Sequence, residues 1–122
     1  SVDVMSGLND ESARVARVIF NLPGMAVVRF IHSQKEETPS LRDDSASLPV
    51  DLKGKIGLYQ VNAAKCMDLL KIIAFRVRLT KLDLPAVMFF NGSSLSLPIE
   101  RGDISLQPLF ELIRGRVMCR VH

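Results

Sequence analysis

The stretch LDLPAVMFFNGSS, residues 82–94, constrains the fold more than any other part of the sequence. A run of five apolar residues, 86–90, follows Pro85 directly and ends in Asn91-Gly92. Proline cannot donate a hydrogen bond to a β-ladder, so it lies at the first residue of a strand, on an edge strand or at a bulge. Asn-Gly tolerates positive φ at both positions and is typical of a tight hairpin turn. The stretch therefore predicts a strand that begins after a proline and turns back at Asn91-Gly92.

Hydrophobic periodicity predicts the remaining elements of the chain. Apolar residues recur at helical spacing in three segments, and Asn9 can cap the first of these helices. Three further segments are apolar or β-branched runs bounded by turn residues, which is typical of strands. The predicted helices cover residues 9–21, 64–78 and 105–117, and the predicted strands cover residues 25–33, 55–63, 85–90 and 94–100. The polar segment 34–52 contains two prolines and predicts a long loop or a degenerate helix.

The order of these elements predicts an α/β fold in which helices flank a central mixed sheet of four to five strands. The expected sheet begins with parallel strands joined by a helical crossover and ends with a β-hairpin. A length of 122 residues is typical of one domain. We therefore expect a single domain over residues 1–122, with its core in residues 8–116.

Several classes of protein are disfavoured by the sequence. No apolar run approaches the roughly 20 residues that a membrane-spanning helix needs, and residues 1–10 lack the pattern of a signal peptide. The two cysteines, Cys66 and Cys119, are too few for a disulfide scaffold and wrongly spaced for zinc. Phosphate-binding loops, dinucleotide-binding glycine motifs, nucleophile elbows and zinc-binding helices are all missing. We expect no metal, no cofactor, and a reducing intracellular compartment, either the cytoplasm or, given the basic pI of about 9.1, the mitochondrial matrix.

Four sequence segments together resemble thioredoxin-like domains. They are AVVRFIHS, GKIGLYQVN, the Leu-Pro pair ahead of AVMFFNG, and RGDIS leading into LQPLFELI. The resemblance covers residues from about 8 to 116 and implies a three-layer sandwich in which Pro85 follows a cis peptide bond. Without the resemblance, Pro85 would be interpreted as a proline that begins a strand after an ordinary trans peptide bond. The chain departs from the family by about four extra residues between Val77 and Pro85, and by a shorter turn after Phe90.

The chemistry of redox-active thioredoxins does not extend to this chain. Their CxxC motif corresponds here to Lys35, Glu36, Glu37 and Thr38, so that site has no sulfur nucleophile. The buried acid of the family falls on Arg29, and its basic neighbour falls on Gln60. Because the nucleophile and both supporting residues are replaced together, the resemblance implies a domain that is not an enzyme.

Non-catalytic thioredoxin-like domains can retain the groove beside the cis-proline for binding an extended peptide. The resemblance therefore implies a protein-binding or assembly module, acting as a scaffold or in a chaperone-like role. Its expected contact residues are His32, Ser33, Gln34, Leu84 and Pro85.

Three alternatives remain open at this point. Arg76, Arg78 and Lys81 form the densest basic stretch and are a second candidate surface, although the low aromatic content disfavours RNA binding. A thiol-dependent redox protein would have to use Cys66 or Cys119, which we expect to be inert buried thiols. The chain could also be a structural subunit of an organellar or ribonucleoprotein complex.

Overall fold

The fold was described from a computed structural model covering residues 7–92, 94–95, 100–101 and 105–118. Its helices are α1 (Asp10–Ile19), α2 (Met67–Arg76) and α3 (Leu106–Met118). Its strands are β1 (Met25–Ile31), β2 (Leu41–Asp43), β3 (Gly57–Asn62), β4 (Ala86–Asn91), β5 (Ser94–Leu95) and β6 (Glu100–Arg101). Single 3-10 turns follow β2 and β3, at Ser45–Ser47 and Ala63–Lys65. The three predicted helices are confirmed to within a few residues, whereas most of the predicted strand 94–100 lies outside the described residues.

The strands form one mixed sheet in the order β2-β3-β1-β4-β5, and β6 also pairs with β4. Strand β1 lies parallel to β3 and antiparallel to β4, so that Val28 is opposite both Tyr59 and Met88. The predicted mixed sheet is confirmed. Among the described residues it has six strands, more than the four to five expected, because β2 was not predicted and the short strands β5 and β6 lie at the two ends of the single predicted strand 94–100.

Side-chain alternation along the central strands builds a core on each face of the sheet. On one face, α1 and α2 pack against alternate residues of β1 and β4, which are Ala26, Val28, Phe30, Ala86, Met88 and Phe90. On the other face, α3 packs against the intervening residues Val27, Leu58 and Phe89. Helices therefore cover both faces, as an α/β sandwich requires.

Helix α1 begins as its sequence predicts. The side chain of Asn9 accepts a hydrogen bond from the backbone N–H of Ser12 at 2.8 Å. Asp10 and Glu11 occupy the first turn, where the helix dipole favours acidic side chains. The predicted N-cap is confirmed.

Within segment 34–52, for which the sequence predicts a loop or a degenerate helix, the structure has a short unpredicted strand followed by the 3-10 turn at Ser45–Ser47. Residues 41–43 form β2, which pairs antiparallel with β3 and places Arg42 opposite Gln60. The side chains of Leu48 and Leu52 are buried in the core on the α3 side of the sheet. Isolated apolar residues thus anchor a segment whose composition is otherwise polar. The sequence predicts a loop because most residues of this segment are polar, and the few apolar residues that contact the core form no regular pattern.

Helix α2 ends in a motif that normally requires glycine. The N–H of Arg78 donates to the carbonyl of Phe75 at 3.1 Å, and the N–H of Leu79 donates to the carbonyl of Ala74 at 2.9 Å. These two bonds define a Schellman motif, in which the residue after the C-cap adopts the left-handed conformation. Arg78 takes that position with φ of 61°, which strains a residue that has a Cβ.

We therefore expect Arg78→Gly to raise the free energy of unfolding by about 0.5–1 kcal/mol, because glycine removes the strain but also loosens the unfolded chain. Urea denaturation measures the change. Arg78→Ala removes the same charge but keeps the Cβ, so it should bring no such gain. Equal stability of the glycine and alanine variants would contradict the interpretation.

Candidate functional site

The peptide bond between Leu84 and Pro85 is cis, as the resemblance implied. It lies immediately before β4, and both of its residues are half-buried. Within the described part of the chain, no hydrogen bond uses the backbone N–H or C=O of Leu84. This short segment therefore has backbone groups available for pairing with another extended chain.

A pocket of about 600 Å³ opens beside this segment. His32 lines it from the end of β1, and Leu84 lines it from the cis-proline segment. Helix α2 and the connection before β4 supply the remaining walls, including Met67, Leu70, Ala74 and Leu82. Two of the five predicted contact residues, His32 and Leu84, thus share one pocket. Ser33, Gln34 and Pro85 adjoin them in the chain but are not part of its lining.

The pocket combines an apolar floor with a charged rim, which carries two lysines and the carboxylate of Asp83. Leu70, Ala74 and Leu82 are buried side chains of its floor. Lys71 and Lys81 are exposed at its rim, and the Lys81 Nζ atom lies 3.9 Å from the Asp83 Oδ1 atom. Since both partners of that pair are well exposed, solvent screens their attraction. The arrangement favours a ligand that carries an apolar group next to a negative charge.

Met67 belongs to this pocket instead of the core. Sequence periodicity placed it on the apolar stripe of α2 with Leu70 and Ile73, and both of those side chains are buried. The Met67 side chain is 48% exposed, because it lies at the first residue of the helix beside the pocket. A flexible thioether at the rim can adapt to an apolar ligand.

The buried side chain of Asn62 holds the segment after β1 in place. Its Oδ1 atom accepts from the backbone N–H of Ser33 at 2.9 Å and of Ala64 at 3.2 Å. Its Nδ2 atom donates to the carbonyl of Ser33 at 3.0 Å. Asn62 therefore positions the chain that leaves β1 through His32. Sequence reasoning missed this role, and the available signal was a polar residue at the end of an apolar strand.

Lys35 to Thr38, which the resemblance places at the CxxC position, form a turn with no helix directly after it. The N–H of Thr38 donates to the carbonyl of Lys35 at 3.2 Å. Lys65, which lies two residues before α2, links this turn to the helix. Its Nζ atom donates to the carbonyls of Thr38 at 2.7 Å and of Glu36 at 3.3 Å. Glu36 and Glu37 remain exposed. Lys65 thus holds the loop through the backbone carbonyls of Glu36 and Thr38, and the carboxylates of Glu36 and Glu37 face solvent.

Arg29 and Gln60, which fall where the family has its acid and base, lie side by side in the β1–β3 register. Gln60 is buried, and its Oε1 atom accepts from Arg42 Nη2 at 3.1 Å. Arg29 is half-buried on the same face of the sheet. Neither an amide nor a guanidinium can relay a proton near neutral pH, so this pair holds no acid–base function.

Cys66 is buried at the junction of β3 and α2. Its Sγ atom lies 3.5 Å from the carbonyl oxygen of Asn62, to which the thiol donates. Burial raises the pKa of the Cys66 thiol, and the negative charge of Glu11 raises it further. A buried thiol with a raised pKa is a poor nucleophile. Cys119, the other predicted thiol candidate, lies outside the described residues.

We expect Cys66 to resist alkylation in the native protein. Treatment with iodoacetamide at neutral pH, followed by peptide mass mapping, should leave the Cys66 peptide unmodified until denaturant is added. The raised pKa of the Cys66 thiol and its burial both slow the reaction with iodoacetamide. Rapid native labelling of Cys66 would contradict this prediction and revive the redox alternative for that residue.

The three residues of the predicted basic surface are divided between two places. The guanidinium of Arg76 lies 4.4 Å from the ring centroid of Phe20, a cation–π contact that joins α2 to α1. Arg76 and Arg78 line a shallow hollow at the end of α2, whereas Lys81 lines the pocket beside His32. Thr80 borders both, so the pocket and the hollow are neighbours.

The described residues contain no group of three or more His, Cys, Asp or Glu side chains that could hold a metal ion. In the same part of the chain, no helix is both long and apolar enough to cross a bilayer. Comparison with known proteins found no family model that matches the chain and no matching curated protein.

Proposed function

We propose that this chain is a non-catalytic, thioredoxin-like domain that binds an extended segment of a partner protein beside Pro85. The observation that carries the proposal is that the backbone of Leu84, at the mouth of a pocket of about 600 Å³, makes no hydrogen bond to another described residue. An extended peptide that pairs with such backbone groups gains affinity from main-chain hydrogen bonds and specificity from side-chain pockets.

Three features support the thioredoxin-like part of the proposal. Strand β1 lies between a parallel neighbour, β3, and an antiparallel neighbour, β4. Helices α1 and α2 cover one face of the sheet and α3 covers the other. A cis-proline precedes β4. Each of these is what the sequence resemblance implies for this family.

The chemistry of the pocket suggests what the partner segment contains. An apolar side chain of the partner would lie on Leu70, Ala74 and Leu82, where it loses contact with water. A neighbouring Asp or Glu of the partner would lie against Lys71 and Lys81 at the rim. The partner's backbone would pair with the N–H and C=O of Leu84. We infer an extended motif of alternating apolar and acidic residues.

Binding is a better proposal than thiol chemistry for the described residues. The CxxC position holds Lys35 to Thr38, and the Cys66 thiol is buried with a raised pKa. The groups that face the pocket can donate or accept hydrogen bonds, carry charge or contact apolar surface. None of them is an activated nucleophile.

The proposal is tested by selecting peptides of 12 residues from a random phage-displayed library on the immobilised protein. Selected peptides should be enriched in acidic and apolar residues, and their affinity for Lys71→Glu/Lys81→Glu should fall about tenfold, as expected for loss of charge-assisted contacts. In amide hydrogen exchange, the Leu84 N–H should become protected when the peptide binds.

Lys53→Glu/Lys55→Glu is the matched control, because it makes the same change of charge in exposed positions away from the pocket. This variant should bind the selected peptides like the wild type. Peptides that bind equally to both double variants and leave the Leu84 N–H unprotected would overturn the proposal.

A further inference from the structure

The shallow hollow at the end of α2 exposes an aromatic ring among cationic side chains. Phe75 is 83% exposed, and it lines the hollow of about 590 Å³ together with Arg76, Arg78, Leu79 and Thr80. None of these five residues is acidic. An exposed phenyl ring and two arginines thus line one hollow whose lining contains no carboxylate, and the Arg76 guanidinium also lies over the Phe20 ring.

A third cation extends this surface along the helix. Lys71 precedes Phe75 by four residues, so the two side chains lie one turn apart on the same exposed side of α2. At the other end, the Schellman motif holds Arg78 in the left-handed conformation. The protein therefore keeps an arginine at a position where glycine would relieve the backbone strain. Strained residues of this kind are concentrated at functional sites.

We propose that the surface formed by Lys71, Phe75, Arg76 and Arg78 binds single-stranded nucleic acid. Phe75 would stack on one base, and the two arginines and the lysine would contact the adjoining phosphates. Proteins that bind single strands without sequence preference use this combination of aromatic platforms and positive charge. Lys71 also lies at the rim of the peptide-binding pocket and Thr80 borders both, so the two sites adjoin.

A nucleic acid fits this surface better than an acidic peptide does. Carboxylates would satisfy the three cations but leave the Phe75 ring with little to contact besides Leu79. A nucleotide supplies a flat π-surface and a negative charge together at every repeat. The sequence argument against RNA binding rested on the low aromatic content, and the exposed Phe75 supplies the ring that stacking on a base requires.

Fluorescence anisotropy with a labelled 12-nucleotide oligo-U and the full chain tests the proposal. Phe75→Ala should weaken binding about tenfold, which is within the range for loss of one stacked base. Arg78→Gly should also weaken binding and should reduce the slope of log affinity against log salt by about 0.7, as expected for one lost phosphate contact. Since glycine suits the backbone at position 78, unfolding cannot account for that loss.

Two exposed residues elsewhere provide matched controls. Val50→Ala removes an apolar side chain that is 88% exposed, and Lys53→Ala removes an exposed cation. Both variants should bind oligo-U like the wild type. The proposal is overturned if oligo-U does not bind, if Phe75→Ala leaves the affinity unchanged, or if polyglutamate of equal charge binds the wild type as tightly as oligo-U.

Discussion

Replacing Phe90 by alanine is expected to destabilise the protein by about 4 kcal/mol, a large share of the total stability of a marginally stable domain. The Phe90 side chain is 1% exposed at the centre of the larger core. Its ring centroid lies 6.1 Å from that of Phe20 and 6.3 Å from that of Phe30. The substitution therefore removes buried apolar surface, two aromatic contacts and the link between β4 and α1.

Urea denaturation followed by circular dichroism measures this loss. Phe75→Ala is the matched control, because it removes the same atoms from an exposed ring and should change the stability by less than about 0.5 kcal/mol. A loss below about 1 kcal/mol for Phe90→Ala would mean that the aromatic cluster is not packed as described.

Replacing Asn62 by alanine should destabilise the protein by about 2–3 kcal/mol. The side chain is fully buried and makes three hydrogen bonds, two with Ser33 and one with Ala64. Alanine would leave the N–H and C=O of Ser33 without this partner, and partly buried polar groups are costly to leave unpaired. The segment that carries His32 to the pocket should become mobile.

Two measurements separate this effect from a general loss of stability. Amide hydrogen exchange at Ser33 and Ala64 should accelerate more than exchange in the centre of β1. Asn21→Ala is the control, since its side chain makes one exposed hydrogen bond, to the carbonyl of Arg17, and should cost less than about 1 kcal/mol. Unchanged exchange at Ser33 in Asn62→Ala would show that Asn62 does not hold the segment.

Asn62 also links the candidate site to the buried part of the fold. Its own carbonyl accepts from the Cys66 thiol, and its side chain fixes the exit of β1. Lys65, two residues before α2, holds the turn at residues 35–38. The junction between β3 and α2 therefore positions the exit of β1, which leads to His32 in the pocket lining, and the turn at residues 35–38. We expect mutations there to alter the proposed peptide binding without any contact with the peptide.

The sequence by itself determined the elements whose signals are local. An apolar run between Pro85 and Asn91 predicted β4, and helical periodicity with a capping Asn9 predicted α1. These predictions succeed because backbone restrictions and side-chain alternation act within a few residues. The cis bond at Pro85 was implied by the family resemblance and not by composition or spacing.

Tertiary structure alone decided which apolar side chains are covered and which polar ones are buried. Met67 shares the apolar helical spacing of Leu70 and Ile73, but the helix begins there and its side chain lines the pocket. Strand β2 exists only because β3 offers an edge at the correct register. Phe75 is exposed and Asn62 is buried because their surroundings come from segments distant in sequence. Local patterns predict a backbone conformation, whereas burial depends on which distant elements pack against it.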